Sequence, residues 1–156
     1  MLTAGRRARR RGFTLLEMGI AVTVMAVLAA LALPAFGDAL HRARRVDATV
    51  ALHAVLAAQE RWRAERSAYA ASVGELGLPA QTPAGHYRID LQPAEGMAPA
   101  LGFVAVATAV PDSPQHRDPA CRTIAVRIDP AGLHVGGCSD CAVPAFGASH
   151  RCWGLQ

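Results

Sequence analysis

The chain has 156 residues, 52% hydrophobic and 18% charged, which leaves room for one compact domain and an extension. All 16 basic residues are Arg, and five of them (Arg6, Arg7, Arg9, Arg10, Arg11) precede position 12. Without residues 1–12, 11 Arg face 12 acidic residues and the formal charge falls from +4 to −1, so composition lends the rest of the chain little support as a nucleic-acid binder.

Residues 18–37 form a run of 20 without a formal charge. At about 1.5 Å per helical residue the run covers a hydrocarbon core of roughly 30 Å. The Arg cluster before it stays cytoplasmic by the positive-inside bias, which sends everything after Gly37 across the membrane. An ordinary secretory signal peptide, with Ala30-Leu31-Ala32 at its cleavage site, competes with this reading. It accounts neither for Glu17 at the basic–apolar junction nor for the helical pattern that continues past the apolar run. A simple one-span anchor accounts for the length but not for Glu17.

Residues 11–17, R-G-F-T-L-L-E, resemble the type IV prepilin (class III) signal, in which G-F-T-L-L-E precedes an apolar stretch. The resemblance implies cleavage by a membrane prepilin peptidase between Gly12 and Phe13, N-methylation of Phe13, and retention of the apolar helix in the mature protein. It also gives Glu17 an assembly role. A carboxylate at the edge of an apolar span costs a few kcal/mol if drawn into hydrocarbon and therefore usually has a partner. In pilins the implied partner is the N-terminal amine of a neighbouring subunit, and the plain alternative is a side chain that snorkels to the interface. Glycine before the scissile bond leaves an unhindered backbone for the peptidase.

Pro34 removes a backbone hydrogen bond, and with Gly37 it predicts a kink or weak point near the periplasmic edge. The Ala-rich stretch after Asp38 lacks Gly and Pro, so helix is expected to about Arg66. Val46, Val50, His53 and Ala57 share one stripe, and Leu52, Leu56, Gln59 and Trp62 share another. Both sides are expected to be covered, one by a sheet and the other by neighbouring helices. Helix over residues 13–66 would be a rod of roughly 80 Å, which needs lipid or other subunits as a partner. Residues 61–69, R-W-R-A-E-R-S-A-Y, resemble the aromatic run that ends this helix in PilE-like minor pilins, with Trp62 and Tyr69 in the aromatic places.

Gly74, Gly77, Pro79, Pro83 and Gly85 mark residues 67–85 as loop. Strands are expected over 86–91, with Tyr87, Ile89 and Leu91 on one face, and over 101–110, 121–129 and 132–135, with a tight turn at Pro130-Ala131-Gly132. Short sequential links imply an antiparallel meander packed on the second half of the helix. The fold class is therefore α+β: a long N-terminal helix on a meander of about four strands, closed by a disulfide-bonded C-terminal loop. The organisation is 1–12 leader, 13–37 transmembrane and assembly half of the helix, 38–66 periplasmic half, and 67–156 head.

Cys121, Cys138, Cys141 and Cys152 all fall in the last 36 residues, an even count in a loop-rich region and the pattern of an exported disulfide framework. Four cysteines allow three pairings. Asp118-x-x-Cys121, the run 128–132 (I-D-P-A-G) and Cys152-Trp153 again resemble PilE-like minor pilins, and the resemblance implies a Cys121–Cys152 bond. The added Cys138-Ser139-Asp140-Cys141 departs from that pattern, and pairing Cys138 with Cys141 is the favoured reading. A zinc site drawn from Cys138, Cys141, His150 and Cys152 has irregular spacing, and a redox C-x-x-C wants a helix N-terminus that Gly136-Gly137 does not offer.

No catalytic constellation, metal or cofactor is expected. The expected function is a pilus subunit, a minor pilin, with a type II secretion pseudopilin and a secreted metal- or ligand-binding module as alternatives. Implied partners are the major pilin and other minor pilins, the prepilin peptidase, the inner-membrane assembly platform, and lipid before assembly. The place is the inner membrane with a periplasmic head, then the pilus fibre, in service of twitching motility, adhesion or DNA uptake. Direct DNA binding has weak support, because Arg61, Arg63 and Arg66 alternate with Glu60 and Glu65 as on a solvated helix face.

Overall fold

The computed structural model describes residues 13–141, 144–147 and 150–154, with the side chains of residues 33–35 outside the description. Two compact units meet in sequence at Asp38 and Ala39. One helix, α1 (Leu15–Glu65), supplies all the regular structure among the described residues of the first unit and opens the second. It starts where Thr14 can cap it, the Thr14 hydroxyl accepting the Glu17 N–H at 3.2 Å, in the T-x-x-E spacing of a helix start.

In the first unit the described large apolar side chains are exposed. Leu15 is 93% exposed, Leu28 60% and Leu31 71%, so the burial that stabilises an ordinary core helix is missing here. This stretch is long and apolar enough to cross a membrane. The helix runs on through Pro34 and Gly37, although Pro34 has no N–H to donate to the ladder.

In the second unit, Ala48, Leu52, Val55 and Gln59 recur at helical spacing and are buried against the sheet. The sheet has five antiparallel strands in sequential order: β1 (Tyr87–Pro93), β2 (Phe103–Ala109), β3 (Thr123–Asp129), β4 (Gly132–Cys138) and β5 (Phe146–Gly147). Alternation turns Tyr87, Ile89, Phe103, Ile124 and Val126 toward the helix, while Ala105, Ala107 and Ala109 line the inner face of β2 and keep it shallow enough for a close helix. Gln59 can be buried because both ends of its amide bond the Ala70 backbone, at 3.0 and 2.9 Å.

Two expectations change. The meander has five strands rather than about four, because β5 is too short to show alternation. β4 runs to Cys138 rather than ending at residue 135, and Gly136-Gly137 is strand: a Cβ on Gly137 would lie 2.8 Å from Cys152 Sγ, and one on Gly136 would lie 2.5 Å from Ala145 O. Of the two helix stripes the one through Leu52 is covered by the sheet, while Val46 and Val50, on the stripe expected to meet neighbouring helices, are 57% and 59% exposed. The β3–β4 turn is as expected. Asp129 Oδ1 accepts the Ala131 N–H at 2.8 Å, and Gly132 takes φ 124°, a conformation that side-chain-bearing residues avoid.

Candidate assembly site and the clamp of the head

Phe13 is 78% exposed, one turn before Glu17. The Glu17 carboxylate faces outward with no partner among the described residues, at the helix end where the backbone dipole favours a negative charge. Glu17 thus sits in a capped first turn as well as beside the expected assembly point. The Thr14-to-Glu17 spacing was the signal for that cap. Gly12 lies outside the described residues.

The head is tied to its helix by a buried polar network centred on Asp118. Its carboxylate takes a two-pronged bond from Arg45, Nε at 2.7 Å and Nη2 at 2.8 Å, and a third donor from Gln115 Nε2 at 3.2 Å. The N–H groups of Ala120 and Cys121 complete the shell at 2.9 and 3.1 Å. Burial alone would raise this carboxyl, but the Arg45 bonds and charge and the two backbone N–H groups outweigh it, and its pKa is lowered. Gln115 also donates to the Tyr87 hydroxyl at 2.8 Å and faces His41 Nδ1 at 2.9 Å. Burial pushes the Tyr87 phenol up to about 12, despite the lowering effect of the Gln115 bond.

This clamp explains the D-x-x-C spacing in physical terms. Asp118 turns the chain by bonding the Cys121 N–H and delivers Cys121 to Cys152, with Cα atoms 5.7 Å apart in a buried disulfide. Cys138 pairs with Cys141 in a second, exposed disulfide. The loop between them is anchored through Ser139, whose hydroxyl donates to Asp118 O at 2.9 Å, and through the Arg122–Asp140 ion pair. With all four sulfurs oxidised, the thiolates that a zinc site needs are not present. No group of three potential metal ligands occurs among the described residues.

At the C-terminal end, Trp153 donates its indole N–H to Gly136 O at 3.1 Å and meets the His53 ring edge-on. His150 accepts the Cys152 N–H at 3.2 Å, which requires an unprotonated Nδ1, and burial together with Arg151 lowers its pKa. At the far end of α1, Arg66 stacks 3.6 Å over Trp62 and Arg63 lies 4.6 Å over Tyr69, which packs on Phe103.

Residues 7–33 match a prokaryotic N-terminal methylation motif. Residues 34–125, more than half of the chain, match the family described as type IV minor pilin ComP, DNA uptake sequence receptor. The chain belongs to the type IV minor pilin family. A 70-residue segment of this minor pilin is 36% identical to the type IV major pilin protein PilA of Myxococcus xanthus (strain DK1622). That match covers 45% of the chain and 32% of PilA, so the minor pilin spans about a third of the relative it matches.

Within this minor pilin, the residues singled out in the sequence fall into two groups. Phe13, Glu17 and Gly37 lie in the first unit, and the four cysteines gather at the C-terminal edge of the sheet in the second. Sequence reasoning missed Arg45 and Gln115 as structural supports of the head, and with them the polar tie of the Tyr87 hydroxyl. The Arg45–Asp118, Gln115–His41 and Gln115–Tyr87 bonds join residues 73, 74 and 28 apart in the chain, and no local pattern reports such pairs.

Proposed function

We propose that this minor pilin is made as a precursor, cut between Gly12 and Phe13 and N-methylated on Phe13 by a prepilin peptidase. Residues 13–37 then hold it in the inner membrane with the head in the periplasm, and an assembly platform transfers it into a pilus beside the major pilin and other minor pilins. Its work is structural rather than enzymatic. The observation that carries this reading is the first unit itself, a helix with an exposed apolar surface most of which lies within the match to a methylation motif.

In the precursor membrane that surface is solvated by lipid. In the fibre, helices of neighbouring subunits replace the lipid, and the Glu17 carboxylate meets the amine of an adjacent Phe13 in a water-poor setting where opposite charges attract strongly. The weak point at Pro34 and Gly37 lets the helix adjust during that transfer. The test is Glu17→Ala in the full chain. The variant should be cut and methylated as the native protein is, yet be missing from sheared fibres. Normal incorporation of Glu17→Ala would remove the assembly role.

The type II secretion reading is weaker, since the match to minor pilins extends through most of the head. Deleting the gene should reduce piliation or twitching and leave exoprotein secretion intact. The description of the matched family also names a DNA uptake sequence receptor. In this head Arg63 and Arg66 are engaged with Tyr69 and Trp62. A drop in duplex retention on changing Arg61, Arg63 and Arg66 to Gln would assign DNA binding to this helix end.

A further inference from the structure

A recess of about 140 Å³ opens in the second unit where α1 meets the C-terminal turn. Arg42, Arg45 and Arg151 line it with Val46, Thr49 and Trp153, and no acidic residue lines it among the described residues. Arg45 is committed to Asp118 by its two-pronged bond. Arg151 is exposed, and its charge is felt beside the recess, where it adds to burial in lowering the His150 pKa. Guanidinium groups gathered in this way favour a shared anion, and a phosphate accepts their forked N–H pairs well.

The stretch that supplies Arg42 and Arg45 is unusual for its place. Residues 38–45 hold three Arg and one acid, Asp38, directly after the apolar run. On the translocated flank of a membrane span, cations run against the positive-inside bias. The clamp accounts for Arg45, but the shell around Asp118 includes neither Arg42 nor Arg44.

Chain length keeps Arg42 close to the end of the apolar run whatever the course of the backbone. It follows Gly37 by five residues, about 7.5 Å along a helix and at most about 18 Å in extended chain. The polar layer of a bilayer is roughly 5–8 Å deep on each side of the hydrocarbon core, and charge acts over a further ~8 Å at physiological ionic strength. Trp, with its amphipathic ring, is a side chain favoured in that layer.

We propose that this recess takes the phosphate of an anionic phospholipid from the periplasmic leaflet, with Arg42 and Arg151 on the phosphate and Val46 and Trp153 beside the glycerol. This rests on the membrane-anchored state proposed above and adds a second contact to it. Lipid tails hold the apolar helix, and a headgroup holds the base of the head until the subunit leaves for the fibre. Asp38, four residues before Arg42, competes for the same charge, so the contact is weak enough to be given up.

The chain has two tryptophans, Trp62 and Trp153, and only Trp153 lines the recess, so one label supplies both reporter and control. Full-length mature protein carrying 5-fluorotryptophan is placed in phosphatidylcholine nanodiscs with a rising share of phosphatidylglycerol and followed by fluorine NMR. The Trp153 signal should shift saturably while Trp62 stays still, and added salt should weaken the response. Arg42→Gln or Arg151→Gln should each weaken it about fivefold. An unchanged Trp153 signal in pure phosphatidylcholine shows that these variants fold, and Arg61→Gln should respond as the native chain does. A chain that does not enter the discs overturns the membrane-anchored reading and this proposal together. A chain that enters them while Trp153 ignores phosphatidylglycerol overturns this proposal alone. So does a response indifferent to both Arg variants, an equal response to inorganic phosphate in pure phosphatidylcholine, or a tighter response to duplex DNA.

Discussion

Replacing Arg45 with Met, which keeps the length of the stem and removes the guanidinium, tests whether the Asp118 clamp holds the head to its helix. Asp118 would keep three donors, Gln115 Nε2 and the Ala120 and Cys121 N–H groups, but lose its counter-charge while remaining about 1% exposed. Breaking a buried pair from one side costs about 3–5 kcal/mol, because the remaining charge stays desolvated. For a head of this size that is a drop in Tm of roughly 10–20 °C.

The pH dependence sharpens the test. With its folded pKa lowered, ionised Asp118 contributes stability that is present above the unfolded carboxylate value of about 3.9 and lost as pH falls through the lower folded value. In Arg45→Met, burial is no longer opposed by the guanidinium and the folded pKa rises. The gap between variant and native protein should therefore narrow in acid, where Asp118 is protonated in both. Thermal unfolding followed by near-ultraviolet circular dichroism, with disulfides intact, measures this at neutral pH and below pH 4. A neutral-pH loss under about 1 kcal/mol, or a gap that does not narrow in acid, refutes the reasoning.

Other consequences follow from the same geometry. Gly137→Ala puts a methyl against the Cys152 sulfur and the Thr123 carbonyl, and should destabilise the head by about 1–3 kcal/mol in chemical denaturation; a neutral result contradicts that close approach. Since the folded Tyr87 pKa of about 12 lies above the unfolded value, its contribution is complete below about pH 10 and lost as pH rises toward 12. Tyr87→Phe should flatten that alkaline loss in unfolding measured across the range. Under a mild thiol reductant, alkylation should trap two thiols, Cys138 and Cys141, before the buried pair opens, whereas four appearing together would contradict the difference in burial. Removing Cys121 and Cys152 together should cost about 3–4 kcal/mol for a bridge that spans 31 residues.

The long helix was legible because nothing between Asp38 and Glu65 interrupts it and the breakers begin only after Ser67. Alternation at Tyr87, Ile89 and Leu91 revealed β1, and Pro130-Ala131-Gly132 revealed the β3–β4 turn. Gly136 and Gly137 misled for a tertiary reason: a pair that reads locally as a breaker is needed in a strand because Ala145 and the Cys152 sulfur come too close for a side chain. Val46 and Val50 have helical spacing like that of the buried stripe, and spacing alone cannot say whether the chain itself or a neighbour covers them. The Arg45–Asp118 clamp joins residues 73 apart, so it had no local signature.

The central claim is that the chain enters its working form by a cut at one bond and keeps the helix behind it. The chain has no Lys, so an amine-reactive label reports on the N-terminus alone. Mass spectrometry and N-terminal sequencing of the protein from native membranes and fibres should find a chain that begins with N-methylated Phe13. An intact Met1 terminus, or one near residue 33, would contradict the account.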